Sequence, residues 1–245
     1  MTLPPLDYTV PANVKHELLD PDQTVRDHYA RDLDPEVDLL AEALATAFDG
    51  YPAILNAAAR TQVPRTELVA GFAFGVIDDI VVSTKLLLAG KGPASGNTMR
   101  QAIEGVAMAV LCSTDTPLVL KKAGKAPPCI ACYWQKLDQG DPCTQGHHAL
   151  KQLDWNAQTL QVSGEAIKSL RAAQQHYHQF SHCGPVTLGL RHMLNGAAMT
   201  WLGGQFDPAK LDWYRTEMRE RIALARVLPE IFSYLLKRVA PTRRV

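Results

Sequence analysis

The feature that most constrains this chain is the stretch Leu68–Leu88, the most apolar of its 245 residues, which carries Asp78 and Asp79 at its centre. An uninterrupted apolar run of only ten residues precedes the two aspartates, whereas a membrane-spanning helix needs about 20. The segment therefore reads as a buried core helix of a soluble protein, running from Glu67 to Ala89 and stopping at Gly90. Apolar on nearly every side, it is expected to be the central helix of a bundle. Neighbouring residues on a helix point about 100° apart, so one aspartate can be buried while the other reaches the surface. A buried aspartate needs a partner, for which Arg100 or a histidine is a candidate.

The rest of the chain repeats the helical signal. Aromatic residues are only 7% and alanine is abundant, which favours helices over a β-sandwich. Asp20–Pro21 opens a short helix to Leu33, and Asp34–Pro35 opens a second one that continues, with a break near Pro52, to about Arg60. KGPASG reads as a loop, followed by a helix from Asn97 or Thr98 to about Asp115. Further helices are expected at Ala149–Val162, Gly164–Phe180 and Val186–Trp201. The last runs from Asp207–Pro208 to about Val239, with Pro229 as a place for a kink. No strand-like alternation persists. The expected fold is all-α, a bundle of about seven to eight helices in a single domain, 1–245. Residues 1–14, with three prolines, read as an extended arm. Residues 116–148, rich in Cys, Pro and Gly, read as an insertion with little apolar content of its own.

High apolar content and zero net charge exclude intrinsic disorder. Residues 1–60 hold 11 acidic and 4 basic side chains, so the remainder is basic by the same margin, ending in KRVAPTRRV. This basic part is either a solvated tail or a contact for an anionic partner. The opening MTLPPLDYTVPANVKHE has no basic region leading into an apolar core, and the five cysteines are odd in number. Both point to a reduced, cytoplasmic protein.

Three constellations could carry chemistry. Arg100 and Glu104 lie four apart on one helix face, either as an ion pair that fixes register or as a guanidinium held for an anionic group. Arg171, Gln175, His178 and His182 follow at four-, three- and four-residue steps, one polar stripe on a helix, with His176 on another face. Histidine serves as acid or base near neutral pH, and arginine stabilises an anionic transition state. Cys129, Cys132, Cys143 and His147 have the spacing of a closed structural zinc site that would brace the insertion; unbound thiols or redox chemistry are the alternatives. Arg100, Glu104, Arg171, His178 and His182 are expected to meet in one apolar-lined cavity.

Together, the R-x-x-I-E helix, the later helix ending in F-S-H, and the final G-G-Q-F-D-P…W-Y-R-T-E-M helix resemble bacterial helical proteins similar to the HEPN superfamily. The resemblance covers roughly residues 65–240. It implies a helical bundle, often dimeric, and for many members a metal-independent ribonuclease in toxin–antitoxin or phage-defence systems. The catalytic signature of those enzymes is Arg, four to six residues, then His. Arg171 stands in that relation to His176 and to His178, although Ala172 occupies a position that is usually polar. The resemblance implies a helical binding or regulatory module in a defence or mobile-element context. The alternatives are an endoribonuclease using Arg171 and His178, or a zinc-braced, nucleic-acid-associated regulator. The partners so implied are RNA, a partner protein or a second copy of the chain, with no membrane.

Overall fold

The computed structural model describes residues 7–124, 127–194 and 201–240. The chain opens with α1 (Pro11–Leu19), α2 (Gln23–Asp32) and α3 (Asp34–Thr61). Helical structure thus begins inside the segment expected to be an arm, and residues 1–6 lie outside the described residues. Asp34 and Glu36 in the first turn of α3 complement its dipole. Pro52 does not break α3, which continues to Thr61.

α4 (Pro64–Leu88) and α5 (Gly92–Cys112) form the central pair. The centre of the bundle is α5 rather than the more apolar α4. Phe74 and Val82 of α4 remain exposed, whereas α5 buries Gly92, Ser95, Gly96, Ala102, Ala107 and Ala109 among others. Small side chains let α4 and two later helices close in on it. KGPASG is therefore not a loop: Gly92–Gly96 is the first part of α5. A Cβ at Gly96 would collide with the Phe180 ring, and one at Gly90, which has φ of +73°, would collide with the Gln205 backbone.

The 116–148 segment is better packed than its composition suggests. β1 (Leu118–Lys121) and β2 (Cys129–Ala131) pair antiparallel, with Leu118 opposite Ala131 and an irregularity between Val119 and Lys121. Leu118 and Leu120 point into the core. α6 (Tyr133–Asp138) buries Tyr133, and a single 3-10 turn at Pro142–Thr144 leads to α7 (Gly146–Trp155). Two α7-side amides hold the hairpin: Asn156 bonds both the N–H and the C=O of Val119, and Gln152 donates to the Leu120 carbonyl.

α8 (Ala157–Leu160), α9 (Gly164–His178) and α10 (Pro185–Gly189) follow. The helix expected over Val186–Trp201 is confined to α10 among the described residues; 195–200 lie outside them. Lys210, largely buried, donates to the carbonyls of Gly189, Leu190 and His192. Asp207 accepts the Leu194 N–H. These side chains take backbone groups that a continuing helix would use. After a 3-10 turn at Pro208–Lys210, α11 (Leu211–Val239) continues for 29 residues through Pro229. It packs on α3 and α4, while α7 and α9 pack on α5. The fold is all-α apart from the one hairpin, and eight of its helices have nine residues or more among the described residues. No described helix is long and apolar enough to cross a membrane. Asp78 is exposed and Asp79 half-buried; burial, then the Asp78 charge, pushes the Asp79 carboxyl up to about 6.

Candidate functional site

Four of the five residues expected to converge do so where α9 crosses α5. Arg100 Nε donates to Glu104 Oε1 at 2.8 Å, and its Nη1 donates to Ser181 Oγ at 2.7 Å and lies 3.4 Å from His178 Nδ1. Gln174 Nε2 also donates to Glu104 Oε1. The His178 and His182 rings meet edge to face, 5.1 Å between centroids. Arg171 does not join them: it pairs with Asp154 of α7 at 3.0 Å. His178 and His182 are exposed, so this polar group lies on the surface rather than in a cavity. A guanidinium oriented by a carboxylate, next to two imidazoles, can hold an anion and move protons.

In the cysteine segment, the Cys132 thiol donates to the Asp115 carbonyl at 3.0 Å. The His147 and His148 rings lie 3.8 Å apart between centroids, tilted by 50°. Burial, aided by Asp141, pushes the Cys143 thiol up to about 12. Cys129 lies on β2. All five cysteines are free thiols. Among the described residues, no three His, Cys, Asp or Glu side chains are grouped to hold a metal ion.

Two further features escaped the sequence reading. The first is an ion pair inside the protein. Arg221 and Glu217, one turn apart on α11, are 0% and 1% exposed and meet at 3.0 Å. Arg221 Nη2 also donates to Ser83 of α4 and Ser95 of α5, at 2.8 and 2.7 Å. Glu217 receives His176 Nε2 of α9 at 2.8 Å. One charged group therefore joins four helices. A sequence signal for it exists. Tyr214, Met218, Arg221, Ala225, Leu228, Phe232, Leu235 and Val239 alternate four- and three-residue steps, a strict apolar repeat in which Arg221 occupies a core position.

The second is a cleft of about 530 Å³ between α9 and α11, floored by α5. Its walls are Ala166, Leu170 and Ala173 on one side and Leu224, Val227 and Ile231 on the other; Ile103 and Val106 lie beneath. Cross-ties to α11 stand at both ends of the opening, one from α9 and one from the end of α8. At one end is the His176–Glu217 bond. At the other, Tyr234 Oη and Arg238 Nη2 both donate to the Leu160 carbonyl, each at 2.7 Å. Tyr177, fully buried, lines the cleft, and its hydroxyl has no hydrogen-bond partner. Burial pushes that phenol up, so it stays neutral at physiological pH.

Comparison with family models, curated proteins and solved structures finds no match.

The tie at the α9 end is sensitive to pH. The bond to Glu217 raises the His176 pKa above its ordinary 6.5. For Glu217, burial pushes the carboxyl up, but His176 and Arg221 together outweigh it and hold the group below 4.5. A raised histidine contributes stability that is complete below its unfolded value and lost as the pH rises through its folded value. A depressed carboxyl contributes stability that is lost as the pH falls through its own folded value. His176→Ala is therefore expected to cost more stability at about pH 5.5 than at about pH 8.5, measured by urea unfolding at both. An equal or larger cost at the higher pH contradicts the assignment.

Proposed function

We propose that this chain is a helical binding module whose ligand site is the cleft between α9 and α11. The carrying observation is that α11 is tied to α9 at one end and to the last residue of α8 at the other, yet parted from α9 over an apolar middle. Closing the gap would gain roughly 25 cal/mol for each Å² of apolar surface covered. The chain instead leaves Val227 43% exposed at its edge. Its volume falls within the range of small-molecule sites, and such sites combine apolar walls with a few polar groups. Ala173→Trp places an indole in the cleft from the α9 side. The neutral apolar dye Nile red is expected to bind the native chain and to lose about tenfold or more in affinity on that substitution, with helical circular dichroism retained. Equal binding to both proteins, or none to the native one, contradicts the reading.

A second reading rests on the Arg100 cluster and on the resemblance to HEPN ribonucleases. Arg100, in the place expected for Arg171, would steady a phosphodiester. One of His178 and His182 would take the proton of the ribose 2′-hydroxyl as its oxygen attacks phosphorus. The other would give a proton to the departing 5′-oxygen, leaving a 2′,3′-cyclic phosphate and a free 5′-hydroxyl. This reading predicts cleavage of RNA and not of DNA, and a loss of about 100-fold or more in His178→Ala/His182→Ala. Cleavage at the native rate by that double variant contradicts it.

A further inference from the structure

Resting on the cleft reading, we propose that the ligand is a small amphiphilic cation, an apolar tail carrying an ammonium-type head. The charges on the walls carry this. Among the residues that line the cleft, the charged ones are Glu220 and Glu230, both on α11, and no lysine or arginine lines it. Glu220 is half-buried and Glu230 exposed, so the Glu220 end offers the stronger field to a bound cation.

The flanking cations are already engaged. His176 is bonded to Glu217, and Arg221 is bonded to Glu217, Ser83 and Ser95. Arg238 bonds the Leu160 carbonyl and lies over the Tyr234 ring. At the Glu220 end the trough is closed by Tyr177, which is fully buried and neutral and so brings no competing charge. A half-buried carboxylate at one end of an apolar trough suits a positive head on a greasy chain and disfavours an anionic one.

The cross-ties select a small molecule over a peptide helix. A helix is about 10 Å across with its side chains, and one running along the trough would have to break the His176–Glu217 bond or the Leu160 ties. A short alkyl chain fits between them. Glu220 and Glu230 are ten residues apart, about 15 Å along α11, so a compact ligand reads one of them.

The test uses the full chain and three probes that share a tail: decyltrimethylammonium, 1-decanol and decyl sulfate, each below its micelle concentration. Displacement of bound Nile red gives their affinities. The expected order is ammonium tightest, by about tenfold over the alcohol, with the sulfate weakest. Glu220→Gln is expected to bring the ammonium to within about threefold of the alcohol while leaving the alcohol unchanged, and Glu230→Gln to do less. Alcohol or sulfate binding as tightly as the ammonium overturns the proposal, as does a preference that survives Glu220→Gln. Nile red binding that no probe displaces also overturns it, with the cleft itself intact. Absence of Nile red binding defeats the cleft reading and the proposal together.

Discussion

The ion pair between Arg221 and Glu217 is the constraint on which the rest of the bundle is arranged. Both groups are buried, and two charges taken out of water are tolerated only when their hydrogen bonds are met. Glu217 meets Arg221 and His176; Arg221 also meets Ser83, Ser95 and the Glu217 carbonyl, and only its Nε is left without a partner. Removing one partner would strand the other, at about 3–5 kcal/mol, whereas replacing both with apolar side chains of similar volume costs far less. The pair is thus a weak source of stability and a strong source of register. α11 can sit at one height only, where its guanidinium reaches hydroxyls on both α4 and α5.

That requirement propagates outward. Ser83 and Ser95 also bond each other's carbonyls, so α4 and α5 must approach closely near the Gly90 turn. The glycines there allow it, and Gly96 then gives Phe180 its seat against α5. α9 is held less directly. It rests on α5 and reaches α11 through His176 at one end, while the α8–α9 link reaches α11 through the Leu160 carbonyl at the other. With α9 tied to α11 at its His176 end and α8 tied at the other, the middle of α9 stands away from α11, and the cleft is what remains.

Much of this was legible in residue spacing, and the failures have physical causes. Arg100 with Glu104, and His178 with His182, are four-residue neighbours and meet as helical geometry requires. That α9 would bring the two pairs together depends on the crossing of distant helices, which spacing does not encode. Arg171 shares the His178 face but is captured by Asp154 of α7, another long-range event. The start of α5 was misread because Gly92, Pro93, Ser95 and Gly96 are loop formers by local propensity, yet small size is what the packing there requires. The hairpin escaped notice because the alternation of Leu118 and Leu120 spans too few residues to register. Arg221 was legible and overlooked: a charge in phase with an apolar repeat signals a buried partner.

The most direct measurement is nuclear Overhauser contact between a bound decyltrimethylammonium chain and the methyl groups of this 245-residue chain. The account predicts contacts from the alkyl protons to Ile103, Val106, Leu170, Leu224 and Val227, residues of three helices that only the cleft brings together. Contacts confined to other methyl groups, such as exposed Leu55 of α3, would contradict it.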